Sequence, residues 1–350
     1  MRNITSGIIL LITILILSAS SGHAFEFNGF ADINFKKSTE GVLAAARNGS
    51  FALGAMDLYF AGTLEDIDIM TELLVSEGRI SVHRLNIGYT FSDALRFRVG
   101  RFHAPLGLWN TSYHHGQQLQ PTIERPEIIK FDFENGVLPL HVVGGYLSGR
   151  VLTTAGTVEY GASIDNGPMI NATTNRLAPN NTSDNNNGKG ILLHVALSPD
   201  MVEGFKAGVS GYKSRIQGAP SSVVDVDLTV LGAALTYSTA NIDLATEYFS
   251  IKNEDNSTAT NAGSNTSNGY FVLARYIFKD KWIPYLLYDK ISIKAEDPYF
   301  DKLGTQDVTK TTVGFRYNIN YRSCIKGEIR SVERGTNDWS EYGVQWALAF

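Results

Sequence analysis

The chain is 350 residues long and carries 30 Lys and Arg against 35 Asp and Glu, a formal net charge of −5 at pH 7. With no basic block, this balance argues against a nucleic-acid partner. The single cysteine, Cys324, excludes an internal disulfide and has nothing at metal-ligand spacing nearby. Charged residues are only 19%, low for a soluble protein, whereas 33 Gly, 16 Tyr and 18 Phe suit a sheet with one small or polar face and one apolar face.

Residues 1–24 read as a cleaved secretory signal peptide. Arg2 supplies a positive start, Gly7 to Leu17 is apolar except for Thr13, and Ser18 to Ala24 offers small residues for cleavage. The run is too short to span a bilayer, which takes about 20 helical residues. The mature chain is expected to start near Phe25. No later apolar run is long enough for a transmembrane helix.

From there onward, segments with period-two alternation are separated by turn chemistry, the pattern of strands with two unlike faces. They lie near residues 26–35, 51–64, 67–77, 80–91, 95–105, 141–151, 157–164, 191–198, 205–216, 226–237, 242–252, 270–278, 282–294, 311–319, 323–332 and 342–350. The connections alternate in length. Those after even-numbered strands are short, such as Glu65-Asp66 and Ser92-Asp93, and those after odd-numbered strands are mostly long and polar. The tight Glu77-Gly78 turn is an exception. A soluble sandwich has no reason to sort its loops by parity, whereas a transmembrane barrel has short periplasmic turns and long outer loops. Aromatics gather at the short-turn ends, among them Phe25, Phe27, Tyr89, Phe91, Tyr276, Phe278, Trp282, Tyr317, Tyr321 and Phe350, as in an interfacial girdle. The reading is therefore one all-β domain over residues 25–350, a transmembrane antiparallel up-and-down β-barrel of about 16 strands.

A barrel of that size leaves an aqueous lumen, so inward positions should be polar. Glu72, Arg84, Asn86, Arg96, Arg98, Glu159, Asp243, Glu247, Arg316, Asn318, Lys326, Glu328 and Arg330 have inward parity. Of these, Arg84, Arg96, Arg98, Arg316, Lys326 and Arg330 are the candidate channel-lining cations. Arg101 and Asp289 fall on the outward parity, which requires a bulge or a rim position. The longest connection, about 106–140, mixes Trp109, Tyr113, Phe131 and Phe133 with His114, His115, Glu124, Arg125, Glu127, Lys130, Asp132 and Glu134. That mixture suits a constriction loop folded into the lumen, aromatics on the wall and charges toward the pore. Its carboxylates either face a basic wall as a transverse field or pin the loop by salt bridges.

In the last strand Tyr342, Val344, Trp346, Leu348 and Phe350 alternate with small or polar residues, and the chain stops on the aromatic. This looks like the assembly signal of Gram-negative outer-membrane barrels, read by the assembly machinery at Phe350. Gly100-Arg-Phe-His-Ala-Pro-Leu-Gly-Leu108, with Glu124-Arg125 downstream, resembles the strand-to-loop signature of the phosphate-selective porin O/P family. The local match covers residues 100–125. The barrel pattern and terminal Phe350 extend a general porin resemblance over the mature chain. The resemblance implies a sixteen-stranded barrel in outer-membrane lipid, usually a homotrimer, with its third loop constricting the channel. Phosphate selectivity is not carried over, because it depends on ladders of lumenal Arg and Lys and this chain is acidic overall.

Adjacent His114 and His115 lack metal-site spacing, and neither a nucleophile elbow nor a phosphate-binding glycine loop occurs. No enzyme activity, cofactor or metal is expected. The expected function is passive diffusion of small hydrophilic solutes or ions across the bacterial outer membrane. The alternatives are a closed barrel serving adhesion and, behind it, an outer-membrane enzyme.

Overall fold

Alternating apolar and small or polar side chains cannot bury both faces in one core, so each segment extends and pairs with its neighbours. The structure, a computed structural model, describes residues 25–39, 47–77, 79–113, 116–130, 136–171, 176–178, 184, 186–217, 225–256, 263–297 and 299–350. The segment expected to be a signal peptide lies outside the described residues.

The strands are β1 (Glu26–Ser38), β2 (Ser50–Leu64), β3 (Ile67–Ser76), β4 (Arg79–Ser92), β5 (Leu95–His103), β6 (His141–Thr153), β7 (Gly156–Asp165), β8 (Met169–Asn171) and β9 (Arg176–Ala178). They continue as β10 (Gly190–Pro199), β11 (Phe205–Gln217), β12 (Asp225–Ser238), β13 (Ile242–Asp255), β14 (Ser264–Tyr276), β15 (Trp282–Ser292), β16 (Val308–Asn320), β17 (Ser323–Arg334) and β18 (Asn337–Ala349). Sixteen of them close into one antiparallel barrel of neighbours in sequence, with β10 following β7. The sixteen expected strands all form. The sequence reading missed β8 and β9, a short ribbon within the connection between β7 and β10. The turn after β17 is also tight, with Gly335 at φ 58, so a second connection departs from the alternation of lengths.

Closure joins β1 to β18, from Phe30 opposite Ala349 to Ser38 opposite Glu341. Beyond that ladder the Phe350 amide donates to the Gly29 carbonyl at 2.8 Å, and the Gly29 amide donates to the Phe350 carbonyl at 2.9 Å. A side chain at position 29 would collide with the Phe350 ring, so the glycine makes room for the terminal aromatic. A closed sheet leaves no unpaired edge, the condition for strands to cross a bilayer.

The outer face is apolar. Leu85 and Ile87 on β4, Phe97 and Val99 on β5, and Val344 and Trp346 on β18 are all exposed. At the short-turn end the rings meet, as in Tyr89 with Phe91 at 4.6 Å and Trp282 with Tyr317 at 4.5 Å between centroids. No helix is long and apolar enough to cross a membrane among the described residues.

The two parity exceptions resolve differently. Asp289 is fully buried on the inner face, and β15 turns Tyr285, Leu287 and Ile291 inward with it. The expectation of an outward Asp289 came from treating the apolar side of β15 as its outside; here the inside is the apolar side, because a loop packs there. Arg101 does point outward, in line with Phe97 and Val99, and donates to the Val82 carbonyl of β4.

Candidate functional site in the barrel lumen

The hydrophobic core lies inside the barrel, where the 104–140 connection meets the wall. Ala104 N donates to Leu140 O at 2.9 Å, so the loop leaves and rejoins the sheet as a closed neck. Asn110 Nδ2 seals it, donating to the carbonyls of Ala104 (2.8 Å) and Leu140 (3.1 Å). Gly107, at φ 72, turns the chain inward, and a Cβ there would strike the Glu247 carboxylate of β13. That carboxylate accepts from the amides of Leu108 (2.8 Å) and Trp109 (2.5 Å). A short helix α1 (Trp109–Ser112) follows. The Trp109 indole packs edge-on against Phe271 of β14, 5.4 Å between centroids. Ile128 and Ile129, in a 3₁₀ turn, are buried in the same cluster with Phe249, Ile251, Leu273 and Leu287 of the wall. Each such side chain contributes about 1.5–3 kcal/mol on full burial. A Cβ at Gly269 would come within 2.6 Å of Ile128, so β14 is cut back for the loop.

The stretch after α1 descends toward the short-turn end. Gly116 N reaches Asp57 of β2 at 3.3 Å, and Gln118 Nε2 donates to the carbonyl of Tyr321 in the turn between β16 and β17 at 3.1 Å. Two cations hold its backbone. Lys326 Nζ donates to the carbonyls of Gln117 and Thr122, and Arg316 Nη1 to those of Gln118 and Gln120. Both face inward, but both lie under the loop, and Lys326 is fully buried.

The loop carboxylates are tied to the wall. Glu124 contacts Lys36 of β1 and Arg330 of β17 (3.1 Å). Arg330 is itself buried between Glu328 and Glu341. Glu127 meets Lys310 (3.1 Å), Arg334 (3.1 Å) and Lys130 (3.5 Å). Burial alone would push the Glu127 carboxyl up, but these three charges outweigh it and bring it down to about 2. The Glu127 amide donates to Asp289 at 3.0 Å, which explains why that buried carboxylate faces inward. Arg125 is buried beside them. His114, His115, Asp132 and Glu134 lie outside the described residues.

At the short-turn end of β3 to β5 the inner wall borders a cavity, whereas Glu72, His83, Phe102, His141 and Val142 farther along β3 to β6 are buried. Arg84 pairs with Glu72 at 2.5 Å and lies over the Tyr59 ring. Arg96 contacts Asp93 in the turn before β5, as does Arg150 (each 3.2 Å); hydrogen bonding and the charge of Arg150, with Arg96 added, hold the Asp93 carboxyl below its usual range. Arg98 has no hydrogen-bond or ion-pair partner among the described residues. It borders a cavity of about 610 Å³ with Arg96, Asn86, Met70 and Asp68. The sequence reading did not single out the rings of His83, His103 and His141, which meet edge-to-face with centroids 5.3–5.4 Å apart at the loop neck. Among the described residues no such group has the geometry of a metal site.

No family model matches this sequence, and no curated protein matches it. Solved structures do share its fold. An anion-selective porin from Comamonas acidovorans superposes with a TM-score of 0.66 at 14% identity, covering 94% of this chain and 100% of that one. OmpF of Salmonella typhi, in complex with daunomycin, gives 0.63 at 15% identity over 94% and 98%. The trimer form of OmpT, an outer membrane protein of Vibrio cholerae, gives 0.62 at 9% identity over 94% and 100%. At these identities the likeness establishes the fold, the sixteen-stranded barrel of porins, and nothing finer.

Proposed function

We propose that this protein is a bacterial outer-membrane porin through which small hydrophilic solutes or ions diffuse passively. The observation that carries the reading is a closed sixteen-stranded barrel, apolar outside, whose longest loop is pinned within the lumen by side chains of β2, β13, β15, β16 and β17. In this reading the loop narrows the water-filled path, and the cavity beside Asp68, Arg96 and Arg98 lies at its short-turn end. Because Glu124 and Glu127 are each engaged by at least two cations, the loop carboxylates have little charge left for selecting cations. Membership of the phosphate-selective porin O/P family remains part of the proposal, resting on residues 100–125 and on no family match. Catalysis has no part in the reading.

We further propose a homotrimer. Arg101 points outward opposite Leu85, near the middle of β4. A guanidinium facing lipid at mid-depth costs about 2–4 kcal/mol, a cost removed when a neighbouring protomer covers β4 and β5. The exposed terminal Phe350 is available to the assembly machinery, and outer-membrane lipid surrounds the rest of the wall.

Single-channel recording in a planar bilayer tests the proposal. Stable conductance steps, in triplets for a trimer, are expected. A folded barrel that never conducts would move the weight to a plugged, adhesive barrel, for which the buried cluster inside the lumen is the favouring observation.

A further inference from the structure

One register row crosses β3 to β6. Asp68 of β3 lies opposite Gly88 of β4, Gly88 opposite Arg98 of β5, and Arg98 opposite Tyr146 of β6. Asp68 and Arg98 are thus two strand spacings apart, roughly 10 Å at their backbones, with a glycine between them. A Cβ at Gly88 would come within 2.8 Å of the Arg98 side chain, so the glycine lets the Arg98 stem lie across β4.

The two charges share the 610 Å³ cavity without pairing. The Asp68 carboxylate accepts from the hydroxyls of Thr63 (3.0 Å) and Thr90 (2.7 Å), and has no cationic partner among the described residues. Arg98 has none of either kind. Several other lumenal charges are neutralised: Glu72 has Arg84, Glu159 has Lys206, Asp243 has Arg275, and the loop carboxylates have their clamps. Glu26 also borders this cavity without an ion pair among the described residues. Anions and a cation without ion pairs, facing one cavity, leave an open position for a molecule carrying both complementary charges.

Resting on the porin reading above, we propose that this cavity is a lumenal subsite for small zwitterionic solutes of the α-amino acid class. Arg98 receives the carboxylate, aided by Arg96, and Asp68 receives the ammonium group. Thr63 and Thr90 hold the Asp68 carboxylate in place, and Gly88 gives room for the Arg98 stem. The site passes solute onward because each charge is met by a single solvated side chain rather than by a desolvated cage.

The test is liposome swelling with the full chain reconstituted in phosphatidylcholine vesicles, comparing L-alanine with its uncharged near-isostere lactamide. A cleft of complementary charge raises local solute concentration, so alanine is expected to permeate about tenfold faster than lactamide. Arg98→Gln and Asp68→Asn should each bring alanine down to the lactamide rate while leaving the lactamide rate unchanged, which also shows that the variants fold. Equal rates in the unsubstituted chain overturn the proposal. Loss with Arg98→Gln but not with Asp68→Asn overturns it too, in favour of a site for simple anions. Vesicles that swell in neither solute sink the pore reading itself, a failure distinct from equal rates.

Discussion

On β12 to β15 the inward positions Val230, Phe249, Ile251, Phe271, Leu273 and Leu287 are buried under Leu106, Trp109, Ile128 and Ile129 of the loop. On β3 to β6 the inward positions include Asp68, Asn86, Arg96 and Arg98, which border open space. The same inward parity therefore carries oil on one side of the lumen and charge on the other. What separates them is not the strands but where the loop lands. A side chain covered by the loop either joins the core or, like Glu247, Asp289 and Lys326, is tied to the loop backbone, and one left in water is free to stay charged. Stability and permeation should accordingly respond to different halves of one wall.

The largest effect should follow from emptying the covered half. Trp109→Ala removes the indole from between Tyr113 and Phe271 and is expected to cost about 3–5 kcal/mol, read by urea unfolding in detergent. It should also raise single-channel conductance, because the loop root loosens. Unchanged conductance would mean that the loop does not narrow the path. Gly107→Ala should come next. It places a side chain at φ 72 against Glu247, a strain on the order of 1–3 kcal/mol, again with larger and noisier conductance steps.

Lys326→Met tests whether the lower loop is held by cations. Two carbonyls, those of Gln117 and Thr122, lose their donor, at about 1–3 kcal/mol. The expected readout is faster proteolytic nicking near residues 117–122 with the barrel intact. Acid titration probes the upper clamp. Glu127 is held at about 2 by Lys310, Lys130 and Arg334 against the opposing effect of burial, below its ordinary 4.5. A lowered carboxyl contributes stability that is fully present above the unfolded value and fades as pH falls through the folded one. The Glu127 contribution to conductance should therefore be constant above pH 4.5 and change between about 4.5 and 2. Glu127→Gln should abolish that transition. The smallest stability effect belongs to the open half: Arg96→Gln should alter unfolding by less than about 0.5 kcal/mol, yet shift the reversal potential toward cations. A large loss of stability there would erase the distinction between the halves.

Much of this was legible in advance because alternation is a local property. The spacing of apolar residues placed every barrel strand, although β14 and β18 begin earlier than expected, at Ser264 and Asn337 instead of 270 and 342, and the unequal loops oriented them. Pro105, which cannot donate to a ladder, and Gly107, which tolerates a left-handed conformation, are residue types that suit an inward turn there. Asp289 was misplaced for an equally physical reason. Alternation shows that a strand has two faces, and the rule that the apolar face is the lipid face fails where a loop supplies oil from inside. The short ribbon of β8 and β9 was hidden because three-residue strands have no period to detect.

The sequence by itself determined a closed antiparallel barrel, its outer belt, its terminal Phe350 and the loop destined for the lumen. Those features rest on near-neighbour chemistry along the chain. Only the tertiary structure decided which half of the lumen the loop covers, which cations clamp Glu127, and that Asp68, Gly88 and Arg98 stand in one row. These depend on strand register and loop placement, which bring together residues as far as 209 positions apart in the chain, and no local pattern encodes such a pairing.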